Sequence, residues 1–288
     1  MHDIFYFTDV HGMYDLYRAI MDYCNEQDPE AMIIFGGDAI DRGPRGYEIM
    51  KELLDNPQVI YLLGNHEDLF VSAAKEIKEL FDFEGADHKE VRKRLGTTLC
   101  FDYKYLHIQD VLYNGGMDTL VDWVVDGMPM NLVERIERLP RTFSYEKCDF
   151  CHAGGVYKAF KKVADAEYDG VKADKYALEH VIWNRTALEY GWETGRTCIF
   201  GHTPIQSLQH MMRMKKISDN EIQPYKYVGN LDERFTGPKI DMDTGAFYNG
   251  RIFVLNILTM KAQGFEDTEF EDKEIRKHDV KKIECIQM

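Results

Sequence analysis

Between Ile4 and Leu80 the chain alternates short apolar runs with stretches of helical periodicity, and this alternation restricts the fold more than any other feature. Ile4-Phe5-Tyr6-Phe7 reads as a buried strand, and Met13, Leu16, Tyr17, Ile20 and Cys24 follow at helical spacing. Ala31 to Phe35 is a second strand. Pro44 suits the first turn of a helix carrying Tyr47, Met50, Leu53 and Leu54, and Val59 to Leu63 forms a third strand. Leu69, Phe70, Ala73, Ala74, Ile77 and Leu80 then mark one face of a third helix. Strands joined through helices by short connections imply right-handed crossovers, which predicts an α/β fold whose first sheet is largely parallel and covered on both faces.

The strand signal lapses across residues 79–140. The charged stretch His88 to Arg94 leads into helical patches such as Asn131-Leu132-Val133-Glu134, a capping start, so this segment reads as a mostly helical insertion. Thr142 to Tyr145, Phe150-Cys151, Thr197 to Phe200, Lys239 to Met242 and Arg251 to Leu258 return to strand character and predict a second sheet. Residues 265–288 are rich in Asp, Glu and Lys and read as a charged tail or a solvated helix, which leaves residues 1–264 as the folded domain.

The chain has 288 residues, 44% of them hydrophobic, enough for a sizeable core, and 35 Lys+Arg against 50 Asp+Glu give a net charge of −15. An acidic balance of that size argues against nucleic acid or an anionic membrane as partner, although a local basic pocket can still hold one phosphoryl group. No apolar run reaches the ~18 residues of a spanning helix, and Met1-His2-Asp3 opens without a leader, so a soluble, cytoplasmic protein is expected. Six cysteines are too sparse for a disulfide scaffold, and Cys148-x-x-Cys151 without a second pair reads as buried thiols on a strand.

The chemistry lies where the strands end. Asp9-Val10-His11 follows the first strand, Gly37-Asp38-Ala39-Ile40-Asp41-Arg42-Gly43 the second and Gly64-Asn65-His66-Glu67 the third. His152-Ala153-Gly154-Gly155 and Gly201-His202-Thr203-Pro204 follow later strands. In a doubly wound sheet such ends converge on one crevice. Carboxylates, imidazoles and an amide oxygen are donors that borderline divalent metals accept, and this set is too large for one tetrahedral ion. Two metals bridged by a carboxylate, roughly 3.5–4 Å apart, would provide a hydroxide nucleophile at neutral pH, with Arg42 facing a phosphoryl oxygen. Phosphate-ester hydrolysis is the expected reaction.

As an ordered set, these motifs resemble the calcineurin-like metallophosphoesterases, and within them the bacterial and phage branch of the phosphoprotein phosphatases. The resemblance covers Ile4 to Leu258. It implies a four-layer α/β/β/α sandwich of mixed sheets, with Asp9 and His11 binding one metal, Asp38 bridging, and Asn65, His152 and His202 completing the second. It implies His66 as general acid with Asp41 paired to it, Arg42 on the phosphoryl oxygens, and Arg185, in Trp183-Asn184-Arg185, as a second arginine. The cofactor implied is a pair of divalent ions, Mn²⁺ first, with iron and zinc equally compatible with the donors. The mechanism implied is in-line attack by the metal-bridging hydroxide.

Thr8 departs from the glycine the family commonly carries before the first aspartate, and Asp243 in Asp243-Thr244-Gly245, which matches a family loop, reads as a support behind the metal ligands or as turn chemistry, outside the site itself. The substrate implied is a phosphorylated protein or a small phosphate ester, phosphoserine or phosphothreonine first, because Asp41 is present. The symmetrical diadenosine tetraphosphate hydrolases, which resemble the chain in Gly43-Pro44 and His202-Thr203-Pro204, tend to carry a small residue at position 41; they supply the alternative of a nucleotide phosphohydrolase. A non-catalytic scaffold is a third reading, disfavoured because every expected ligand is present. The insertion would either cap the site and restrict its substrates or decorate the periphery, and Arg213, Lys215 and Lys216 read as a solvated loop.

Overall fold

The computed structural model describes residues 2–99, 103–185, 190–207, 221–228, 234–270 and 278–288. Strands β1 (Ile4–Phe7), β2 (Met32–Phe35) and β3 (Val59–Tyr61) pair in parallel, Phe7 opposite Phe35 and Phe35 opposite Tyr61. They are linked through α1 (Tyr14–Gln27) and α2 (Gly46–Asp55), and α3 (Asn65–Leu80) follows β3. The sheet then continues in the opposite sense: β9 (Arg251–Asn256) pairs antiparallel with β1, β10 (Lys261–Asp267) with β9, and β11 (Val280–Gln287) with β10. The second sheet runs β4 (Thr142–Tyr145), β5 (Cys148–Cys151), β6 (Thr197–Phe200), β8 (Pro238–Asp241), β7 (Tyr225–Val228).

Alternation along the strands builds the layers, because successive side chains point to opposite faces. Ile4, Tyr6 and Ile34 face inward with Phe150, Ile199 and Ile240 of the second sheet, forming the core between the sheets. Phe5, Phe7, Ile33 and Phe35 face the other way, onto Leu16, Ile20, Ile49, Leu53, Phe70 and Ile77 of the first three helices. Helices α8 (Tyr157–Tyr168) and α9 (Lys175–Ile182) cover the outer face of the second sheet through Phe160, Val163 and Val181, packed in one cluster with Cys151, Cys198 and Phe200. The result is the α/β/β/α arrangement with mixed sheets.

Between α3 and β4 lie α4 (His88–Gly96), α5 (Leu106–Tyr113), α6 (Met117–Val125) and α7 (Met130–Glu137). The expected capping start at Asn131 differs: Asn131 lies inside α7, which begins after Pro129 with no side-chain cap, whereas Asp87 caps α4 by accepting Glu90 N. Trp123 of α6 is fully buried and meets Phe70 of α3 edge-on at 5.7 Å. Tyr47 and Lys51 of α2 both bond the Asp126 carboxylate at the end of α6 (2.6 and 2.9 Å).

The reading of residues 265–288 as a tail or solvated helix is corrected. β10 runs through that boundary, and Val280–Gln287 is an edge strand with Ile283 and Ile286 against the inter-sheet core. The charged majority misled because an edge strand needs few inward apolar residues and gains protection from charge. Lys281 pairs with Glu266 (2.7 Å) and Glu284 with Arg251 (3.1 Å). Arg213, Lys215 and Lys216 lie outside the described residues. Among the described residues no helix is long and apolar enough to cross a membrane. Cys148 and Cys151 stand on β5 as free thiols, half-buried and buried.

Candidate metal centre

The five polar loops do meet at the carboxyl ends of the strands. The first two are stitched together by backbone bonds, Asp9 N to Gly37 O (3.0 Å), His11 N to Asp38 O (3.1 Å) and Gly12 N to Ala39 O (2.9 Å). This contact bends the chain hard. Asp9, His11, Asp38, Asp41, Arg42 and His202 all have positive φ, between 41° and 74°. A non-glycine residue held there costs about 1–3 kcal/mol, a conformation that persists where surrounding structure enforces it and that clusters at functional sites.

His152 donates Nδ1–H to Gly36 O (2.9 Å), and His202 donates Nε2–H to Trp183 O (3.2 Å). These two backbone bonds fix the neutral tautomers, leaving His152 Nε2 and His202 Nδ1 as lone pairs. They stand 3.1 Å apart, and Asn65 Oδ1 lies 3.0 Å from the first and 2.8 Å from the second. Asp38 Oδ1 is 3.4 Å from His152 Nε2. With both imidazoles neutral, four acceptors would crowd one buried point, a repulsion that a cation there, or a proton on His152 Nε2, relieves. Burial alone would depress His152, but the Asp38 and Asp9 carboxylates outweigh it and push the imidazole up to about 10, a measure of the negative potential there.

On the other side of Asp38, His11 fixes its ring through Nδ1 to Ile40 O (2.9 Å) and presents Nε2 3.6 Å from Asp38 Oδ2 and 3.9 Å from Asp9 Oδ1. Among the described residues the buried Asp9 Oδ1 has no hydrogen-bond partner, while Asp9 Oδ2 accepts from Thr8 Oγ1 (2.6 Å) and His202 N (3.0 Å). A buried carboxylate oxygen left so, beside an imidazole and a second carboxylate, fits a cation. Two groups of donors therefore could hold metal ions, His11–Asp38–His66 and Asp38–His152–His202, sharing Asp38. His66 stands in the first of these groups, and Asp9 adjoins it through His11.

His66 Nδ1 is 2.7 Å from Asp41 Oδ2, and its Nε2 is 3.2 Å from Arg42 Nη2 and 3.8 Å from Asp38 Oδ2. Burial opposes the imidazolium, but Asp38 and Asp41 together hold His66 above its ordinary value. Burial also pushes the Asp41 carboxyl up, with His66 and Thr119 working against the rise. Arg42 lies over the exposed Tyr248 ring at 5.6 Å. Arg185 is exposed, two residues beyond Trp183; after burial and His152, its charge contributes to lowering His202. It sits at the rim, not in the donor clusters.

Three supports were missed. Glu67 Oε2 accepts Asp38 N (2.9 Å) and Gly64 N (3.1 Å), and its Oε1 accepts Ala39 N (2.8 Å) and Tyr61 OH (2.8 Å), so one carboxylate ties the second loop to the third. The signal was its place three residues into a helix opening. Thr8, seen only as a departure, orients Asp9. Thr119, in the insertion, accepts Asp41 N (3.1 Å), and nothing local in the sequence marks that pairing. Asp243 accepts Gly245 N (2.9 Å), the turn expected of it.

The family model described as calcineurin-like phosphoesterase matches residues 2–206. A symmetrical bis(5'-nucleosyl)-tetraphosphatase of Buchnera aphidicola subsp. Acyrthosiphon pisum (strain Tuc7) is 28% identical over 78 residues, 26% of this chain and only 28% of that protein's length. Among solved structures, a candidate diadenosine tetraphosphatase is similar over 98% of this chain and 93% of its own, at TM-score 0.46 and 12% identity. A metallophosphoesterase from Sphaerobacter thermophilus is similar over 98% and 88%, at 0.44 and 13%. A protein serine/threonine phosphatase from Saccharomyces cerevisiae with similarity to human phosphatase PP5 is similar over 100% and 81%, at 0.43 and 13%.

Proposed function

Since the chain belongs to the calcineurin-like phosphoesterase family, its model spanning residues 2–206, we propose that it is a binuclear-metal phosphatase acting on phosphate monoesters, phosphoserine and phosphothreonine in proteins first. In this reading Asp9, His11 and Asp38 hold one ion, and Asp38, Asn65, His152 and His202 the other. Manganese is the first ion to test, and the cytoplasm the compartment, on the sparse cysteines. The two ions, when bound, would supply Lewis acidity toward the phosphoryl group and toward water at neutral pH.

The chain's own residues do the rest. Arg42 and Arg185 bind phosphoryl oxygens, Arg42 by swinging away from His66 Nε2, which its N–H now faces. Nε2 can then carry a proton, which it gives to the leaving alkoxide as the P–O bond breaks. Asp41 keeps Nδ1–H in place and stabilises the imidazolium beforehand. Water adds to phosphorus, and the products are inorganic phosphate and the alcohol. The observation that carries the monoesterase reading is the buried His66–Asp41 bond at 2.7 Å, an acid device that an alkoxide leaving group needs.

The Buchnera relative favours a second reading, hydrolysis of a dinucleoside polyphosphate by the same site. Phosphate release from a phosphothreonine peptide and from p-nitrophenyl phosphate, and nucleotide release from diadenosine tetraphosphate, separate the two, each with Mn²⁺ and with chelator. Metal-dependent turnover favouring the peptide is expected. His66→Asn should hurt the peptide more than the nitrophenyl ester, whose leaving group departs without a proton. Preference for the dinucleotide by orders of magnitude would replace the substrate assignment, and no turnover by metal-loaded protein would replace the enzyme reading.

A further inference from the structure

Asp41 and Arg42 are consecutive left-handed residues, φ 68° and 67°, in a turn that has to hold one carboxylate against His66 and one guanidinium at the mouth of the site. Two of the bonds that hold this turn come from the helical insertion. Thr119 Oγ1 on α6 accepts Asp41 N (3.1 Å), and Gly115 O, in the link between α5 and α6, accepts Arg42 N (3.0 Å). From the opposite side Gly43 N donates to His11 O (3.0 Å), so the turn is gripped between a metal-ligand loop and the insertion.

The grip is close. A Cβ on Gly116 would run into the Val111 side chain and come within 2.6 Å of Asp41 Oδ1. A side chain at position 116 would have to displace Val111 or the Asp41 carboxylate. Gly115 itself has φ +85° and its would-be Cβ stands 3.2 Å from Arg42 Cα and N. Thr119 is fully buried, as are its neighbours Leu120 and Trp123, and Gly116 O accepts Leu120 N (3.0 Å) at the start of α6. The clasp is thus fixed to α6, whose Trp123 packs on α3, the helix that carries His66.

We propose that Thr119, with the Gly115–Gly116 link, is a positioning element: it sets the Asp41–Arg42 turn so that Asp41 meets His66 and Arg42 stands at the phosphoryl position. The proposal rests on the functional reading above only for what the turn is for; the positioning itself is a matter of structure. It gives the insertion a constant structural duty at the site. Loss of the Thr119 acceptor leaves Asp41 N buried without a partner and lets the turn relax, which moves the Asp41 carboxylate relative to the imidazole.

The test uses the zinc-loaded, diamagnetic full chain and three variants: Thr119→Val, which keeps shape and removes the hydroxyl, Thr119→Ser, which restores it, and Gly116→Ala. The His66 Nδ1–H proton resonance, melting temperature, and kcat and KM on a phosphothreonine peptide are measured for each. Thr119→Val should shift or broaden the His66 signal and lower kcat by about 10- to 100-fold with KM nearly unchanged, the scale of a small misplacement of a reacting group. Thr119→Ser should recover both, and Gly116→Ala should reproduce the Thr119→Val signature. A Thr119→Val protein that melts lower while keeping the wild-type resonance and kcat would overturn the proposal, as would a serine variant that fails to recover them. Because the resonance is read without substrate, absence of turnover on every ester would count against the phosphatase reading and leave the clasp to be judged by the spectrum.

Discussion

The two oxygens of Asp38 face different company. On the Oδ1 side, Asn65, His152 and His202 bring their acceptor atoms to within 2.8–3.1 Å of one another, each imidazole locked by a backbone carbonyl behind it. On the Oδ2 side, His11 Nε2 and His66 Nε2 stand 3.6 and 3.8 Å from Asp38 Oδ2, His11 Nε2 is 3.9 Å from Asp9 Oδ1, and among the described residues Asp9 Oδ1 has no hydrogen-bond partner. The first arrangement is a set of lone pairs already closed on a point. The second is roomier and shares its space with the His66–Asp41–Arg42 group. If two ions bind, one would be held by a preformed cage and the other by a looser set beside His66, Asp41 and Arg42, so the cage should bind more tightly.

Removing both ions has the largest expected effect. Dialysis against chelator should take phosphate release to background and lower the melting temperature, because an ion a thousandfold above its Kd stabilises the native state by about 4 kcal/mol. An unchanged melting temperature would break the idea that the crowded acceptors need a cation. His66→Asn comes next: peptide turnover should fall about 10²–10⁴-fold, the usual worth of a positioned general acid, while metal analysis finds both ions still bound. Loss of one ion would instead move His66 into the ligand set of the roomier side.

Thr8→Val acts on one side of Asp38 alone. It removes the hydroxyl that orients Asp9 and should weaken the ion on that side by about 10- to 100-fold, with the caged ion unaffected by calorimetric titration. Equal weakening of both would mean that the two sides act as one unit. The smallest effect is expected far off, at Lys281→Ala on the edge strand: less than about 1 kcal/mol in urea unfolding, with both metal affinities as in wild type.

How much of this was legible depends on the range of the interaction. That Asp9, His11, Asp38, Asn65, His152 and His202 come together could be read because each follows a strand, and the sheet itself brings strand ends together. Asp41 and His66 could be read as a pair through their motifs. Thr119 could not, since its partner lies 78 positions away and the insertion carries no periodic mark of where it touches. Gly115-Gly116 inside a helical stretch marks a turn there, and does not say what the turn touches. The edge strand β11 was hidden for the opposite reason: its charges are real and exposed, and only pairing with β10 turns Ile283 and Ile286 inward.

The most direct measurement is anomalous diffraction from crystals grown with Mn²⁺ at two concentrations. At the higher concentration there should be two peaks, one among Asp38, Asn65, His152 and His202 and one beside His11, Asp38 and Asp9, with only the first surviving at the lower. No peak at either cluster, or survival of the peak beside Asp9 alone, would contradict it.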